Sequence, residues 1–140
     1  MSEESLTVDE LQQLITRGPF NRWLNFTVTR VDEEGIEVKA AWREEWVVNP
    51  DRRYTHGGIL SAIIDVAADY AIAAQLGRPV PTIDMRVDFH KPAMPGDLTA
   101  RASVVRLGSQ FSTAEASIYD KEGALVASGR GTYFTASPKA

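Results

Sequence analysis

The run His56-Gly57-Gly58 opens a long apolar stretch, and eight residues after its first glycine comes Asp65. Two glycines at a helix start let a ligand approach the backbone closely, and the first N–H groups of a helix have no partner within it. A helix N-terminus also carries partial positive charge. Such a turn suits the oxygen of a carbonyl under attack; it equally suits a plain tight entry from loop to helix. Asp65 shifts the balance toward chemistry. It falls in the middle of an otherwise hydrophobic helix, where a carboxylate is costly unless it is paired or used. Ser61, Asp65 and Asp69 follow at i, i+4 and i+8 and form one polar stripe. Ile64, Val66 and Ala68 beside them leave no broad polar face, so a solvent-facing or interface stripe is the second reading.

Spacing carries the argument further. Eight residues of helix separate Gly57 from Asp65 by about 12 Å along the axis. An oxyanion donor and a general base must each lie within about 3 Å of their reacting atoms. If both residues are catalytic, they serve different sites, each built from Gly57 of one subunit and Asp65 of another. An obligate two-fold dimer with two equivalent sites is the expectation.

The elements that must position these residues are legible along the chain. Thr7 and Glu10 form a capping box for a short helix with Leu11, Leu14 and Ile15 on one stripe, ended by Gly18-Pro19. Strands are expected over 26–31 and 36–42, joined by the turn Asp32-Glu33-Glu34-Gly35. Residues 43–55 read as loop. Residues 57–76 read as a buried helix, apolar almost all round and closed by Gly77. From Ile83, apolar Ile83, Met85, Val87 and Phe89 alternate with polar residues, which predicts a strand with one buried face. After a turn at 92–97, strands follow over 98–107, 111–119 and 125–134, and their short links imply antiparallel pairing. Ala127, Gly129 and Gly131 leave room on one face for a backbone to approach. The sum is an α+β domain, an antiparallel sheet wrapped around one long central helix, with a short N-terminal helix.

Composition narrows the chemistry. The 140 residues fit a single domain, 1–140, with 1–5 and 136–140 expected to fray. Hydrophobic residues make up 44% and charged residues 24%, as in ordinary globular proteins. With no cysteine and only two histidines, no metal site is expected, and no thiol nucleophile is available. The net charge of −4 and the lack of a basic stripe argue against nucleic acid. The acidic N-terminus lacks a signal pattern, and no apolar run of membrane-spanning length is free of charge, so a cytoplasmic protein without a membrane partner is expected.

Three separated segments then resemble one family. His56-Gly57-Gly58 with Leu60, Asp65 and the Ala-rich helix is similar to the hotdog thioesterases of the phenylacetate-degradation type. So are Asp88-Phe89-His90-Lys91-Pro92-Ala93 with Pro95-Gly96-Asp97, and the ending Ala127-Ser128-Gly129-Arg130-Gly131-Thr132-Tyr133. The likeness covers about residues 45–135. It implies a hotdog fold and hydrolysis of an acyl-CoA thioester without a cofactor, in a dimer that assembles into a dimer of dimers. It implies Asp65 as nucleophile or general base and the Gly57 N–H polarising the thioester carbonyl. Asn49 matches the loop Asn that orients water or carbonyl, and Thr82 matches a hydroxyl that assists the water. His56 and Gly58 would support or line the substrate site. Asp69 stands where relatives carry a hydroxyl or small residue, and would hold a water or reach a partner's Arg. Gly108-Ser109-Gln110 stands where relatives carry Arg or Lys, which leaves Lys91, Arg106, Ser109 and Arg130 as candidates for the CoA phosphates.

Two other readings remain. Asp51 and His56 have the spacing of hotdog hydratases, although Asp51 follows Asn49-Pro50 whereas the hydratase Asp precedes that pair. A non-catalytic acyl-CoA-binding module would have no need of Asp65.

Overall fold

Thr7 caps the first helix: its side chain accepts the Glu10 N–H, and Glu10 returns the bond to the Thr7 N–H. The computed structural model describes residues 5–137; of the ends expected to fray, 1–4 and 138–140 lie outside them. Helix α1 (Val8–Ile15) buries Leu11 and Ile15. A second helix, α2 (Pro19–Leu24), follows where no element is expected from periodicity. Pro19 takes its first turn, where a missing N–H costs nothing, and Asn25 closes it in the left-handed region at φ 61°. Six residues are too few for a periodic signal.

Strands β1 (Phe26–Asp32) and β2 (Gly35–Ala40) form the expected hairpin. The loop after them holds one short 3-10 turn at Glu44–Trp46, and Trp46 is buried. Helix α3 spans Gly57–Leu76, and Gly77 closes it at φ 83°. Then come β3 (Thr82–Phe89), β4 (Leu98–Arg106), β5 (Phe111–Tyr119) and β6 (Leu125–Phe134). All pair antiparallel in one sheet of order β1-β2-β4-β5-β6-β3. The sheet curls over α3, which is in contact with β2 through β6. Leu98, Ala100, Ala102, Ala114, Ala116 and Ile118 meet the buried side of the helix. This is the hotdog fold. By length and composition α3 could cross a membrane, but here it is the core on which the sheet closes.

Two expectations are corrected. The link 92–97 is not a hairpin turn: β3 pairs with β6, and β4 pairs with β2 and β5. Getting from β3 to β4 means crossing three strand spacings, about 14 Å, and the eight residues 90–97 can reach about 27 Å. Composition marks such a stretch as non-regular but does not say whether it reverses or crosses. Nor is the apolar face of β3 buried along its length: Met85 and Val87 pack half-buried against the core, and the two ends do not. It is an edge strand, with Ile83 54% and Phe89 56% exposed.

Candidate active site

Asp65 lies halfway along α3, half-buried, and is held from the sheet. The Thr82 hydroxyl donates to its Oδ1 at 2.9 Å, and the Tyr133 hydroxyl donates to the same oxygen at 3.1 Å and to the Asp65 carbonyl at 3.2 Å. Thr82 on β3 and Tyr133 on β6 are register partners. Strict alternation would turn Thr82 outward with Asp84, Arg86 and Asp88. The register slips between Thr82 and Asp84. The bulge at Ile83 therefore puts Thr82 opposite Tyr133, on the helix side.

One turn on, Asp69 Oδ1 accepts the Val80 N–H at 3.0 Å and ties the helix to the segment leading into β3. Burial, opposed by this bond and aided by the Asp65 charge, pushes the Asp69 carboxyl up to about 7. Its observed partner is thus a backbone amide of its own chain.

The other end of the site is the start of α3. His56 is its N-cap, and its Nδ1 accepts the Gly58 N–H at 2.7 Å. The Ser61 hydroxyl donates back to the Gly57 carbonyl at 3.0 Å. Among the described residues, nothing accepts the Gly57 N–H. A Cβ at Gly57 would touch the Phe89 ring at 3.4 Å. Beside it opens a cleft of about 400 Å³ lined by Tyr54, Thr55, Gly57, Leu60, Phe89 and Lys91, among others. Thr55 is 4% exposed, and its hydroxyl has no partner among the described residues.

The remaining expected residues are dispersed. The Asn49 side-chain carbonyl accepts from the Asp51 and Arg52 N–H groups at 2.9 and 3.1 Å, so it shapes its own loop. Lys91 lines the cleft and lies 3.5 Å from Asp120. Arg106 donates to the Phe111 carbonyl at 3.4 Å at the β4–β5 link, where Ser109 is exposed. Arg130 lies on the outer face of the sheet, 3.0 Å from Glu115. That face carries the larger concavity, about 790 Å³, but its Arg30, Arg86, Arg101 and Arg130 are all paired with acids and it holds none of the helix residues.

The group singled out by the structure and not by the spacing is Tyr133. In the sequence it only closes the last segment that resembles the family, with no role attached, and its contact with Asp65 joins residues 68 apart.

A family model of the thioesterase superfamily matches residues 53–127, more than half of the chain. The chain belongs to the thioesterase superfamily. The chain is 42% identical over 94 residues to a putative esterase of Halobacterium salinarum; the match spans 60% of this chain and 62% of that relative, under two thirds of its length. It is 28% identical over 131 residues to the medium/long-chain acyl-CoA thioesterase YigI of Escherichia coli, over 82% of this chain and 84% of that one. A solved structure of a protein from the thioesterase superfamily superposes with a TM-score of 0.89 at 47% identity, covering 91% of this chain and 96% of the other. The matched family region contains Gly57, Asp65 and Thr82; Asn49 and Tyr133 fall outside it.

Proposed function

We propose that the protein hydrolyses acyl-CoA thioesters, as a thioesterase of the phenylacetate-degradation type, at two equivalent sites of a homodimer. One observation carries this reading. A carboxylate held by two hydroxyls sits eight residues along the same helix from an open N–H beside an apolar cleft, and about 12 Å of helix keeps the two from serving one carbonyl. The open edge of β3, with Ile83 and Phe89 exposed, supports the dimer: an unpaired apolar edge is where a second copy would extend the sheet and cover both side chains. A dimer of dimers in the cytoplasm extends the same reading.

In this mechanism the Gly57 N–H and the α3 N-terminus polarise the thioester carbonyl, and Asp65 of the partner subunit works on the carbonyl carbon. As general base it takes a proton from water as the water oxygen adds. The tetrahedral intermediate then expels the CoA thiolate, which picks up a proton. As nucleophile its carboxylate adds directly, the thiolate leaves, and water cleaves the resulting anhydride. Label found in Asp65 after a single turnover in ¹⁸O-water would mark the second route, with water attacking the Asp65 carbon of the anhydride. Asn49 and Thr82 orient water or carbonyl. His56 and Gly58 shape the turn, and Asp69 fixes the helix. Lys91, which lines the cleft, is the proposed donor to a CoA phosphate; Arg106 and Ser109 at the β4–β5 link and Arg130 on the outer face are not gathered at it. The apolar cleft suits the hydrocarbon part of an acyl group, in keeping with the activity named for the E. coli relative.

The test is a panel of acyl-CoAs with thiol detection. Thiol release by the wild type, lost in Asp65→Asn with binding retained, is the expected result. Hydration of an enoyl-CoA without thiol release would favour the hydratase reading. Binding without any turnover would favour a binding module.

A further inference from the structure

Building on that reading, we infer that Tyr133 is a positioning residue for the reaction: seated over Gly131 and acting with Thr82, it locks one oxygen of Asp65 and leaves Oδ2 as the working atom. Three observations carry this. Both hydroxyls converge on Oδ1, at 2.9 and 3.1 Å, from strands paired at Thr82 and Tyr133. A carboxylate oxygen with two donors has little left to offer, whereas its twin stays available. Tyr133 is also fixed at its other end. The ring is 0% exposed, and its hydroxyl bonds the Asp65 carbonyl as well, so helix backbone and carboxylate are held by one group.

The third observation is Gly131. A Cβ there would lie 2.6 Å from the Tyr133 hydroxyl and 2.7 Å from the ring. The small residue in β6 thus leaves space for a side chain of its own strand, not for an approaching backbone. At Gly129 the corresponding space is taken by Ile64 and the Arg86 carbonyl. Burial, and then the Asp65 charge, push the Tyr133 phenol above its ordinary value, so it stays protonated and keeps the proton it donates to Asp65.

The chemical consequence is directional. A free carboxylate turns about its last torsion and offers either oxygen. Held at Oδ1, Asp65 presents one oxygen along one line, and this pre-organisation acts on the chemical step and not on substrate capture.

Tyr133→Phe keeps the ring and removes the donor. The expected result is a fall in kcat of about tenfold with KM changed less than about twofold. An unchanged kcat, or a loss confined to KM, would overturn the proposal. Mixed dimers separate it from the shared-site reading. Tyr133 acts on the Asp65 of its own chain. A Tyr133→Phe chain paired with a Gly57→Pro chain therefore regains one wild-type site, while the same chain paired with Asp65→Asn does not. If Asp65→Asn and Gly57→Pro chains rescue each other but Tyr133→Phe and Gly57→Pro chains do not, the Tyr133 proposal fails and the shared site stands. If no pair rescues, the shared site fails, and the kcat–KM split of the Tyr133→Phe homodimer decides Tyr133 alone. Gly131→Ala is a second variant that displaces the hydroxyl with Tyr133 in place; normal kcat in a folded Gly131→Ala protein would also count against the proposal.

Discussion

The middle of α3 and its N-terminal end are built on opposite terms. Around Asp65, polar atoms are held on all sides but one: two hydroxyls on Oδ1, a backbone carbonyl tied down, and Asp69 anchored a turn further on, with Oδ2 left over. Around Gly57, one N–H is left open, the wall is apolar, and Phe89 projects 56% exposed at the end of an edge strand. A group that must act along one line needs fixed neighbours; a group that must receive a substrate oxygen needs none in its way. On the proposed mechanism, each chain would carry a finished half-site and an unfinished one, which is the physical argument for a second copy.

The sharpest way to break this contrast is at Asp65. Asp65→Asn keeps the shape and both hydroxyl contacts, so kcat for thiol release should fall about a thousandfold with substrate binding intact, measured by steady-state kinetics and by titration of a bound acyl-CoA. Next comes the open end. Gly57→Pro removes the N–H at the one helix position that tolerates proline, so kcat should fall about a hundredfold while circular dichroism shows the helix retained. Comparable loss of activity with normal kinetics for Gly57→Ala would show that the N–H, and not the space, matters.

Thr82→Val tests the fixed half more gently. One of two anchors goes while the shape is kept, and kcat should drop about tenfold. The smallest effect concerns Asp69 and is one of stability. Its carboxyl titrates at about 7 in the fold, well above the ordinary value of an unfolded chain near 3.9. The folded state therefore holds a proton that the unfolded state has lost, and the associated stability, complete below about pH 4, disappears as pH rises through 7. Denaturant midpoints should fall by the equivalent of about 4 kcal/mol across that window in the wild type, and by much less in Asp69→Asn.

Much of this architecture is legible in the chain. Residues 57–76 are the helix because Ala, Ile and Leu run without proline between a glycine pair and Gly77. The hairpin turn at 32–35, and the strands at 111–119 and 125–134, follow from alternation broken by turn residues. Helix α2 escapes because six residues cannot display a period. At the site, Gly57 and Asp65 stand out because a glycine pair and a buried acid are each costly without a use. Asn49, His56 and Thr82 are suggested only by likeness to a family. Tyr133 ends a segment that resembles the family, but nothing local gives it a role.

What the sequence by itself determined is the list of elements, the acid inside an apolar helix, and the separation of that acid from the glycine turn, because period, composition and rise per residue are local properties. Only the tertiary structure decided which strands meet and what they aim at the helix. The slip at Ile83 turns Thr82 inward, and the β3–β6 register sets it opposite Tyr133. Both depend on pairing between segments about fifty residues apart, and strand register is settled by what the two chain segments bury together, not by either one alone.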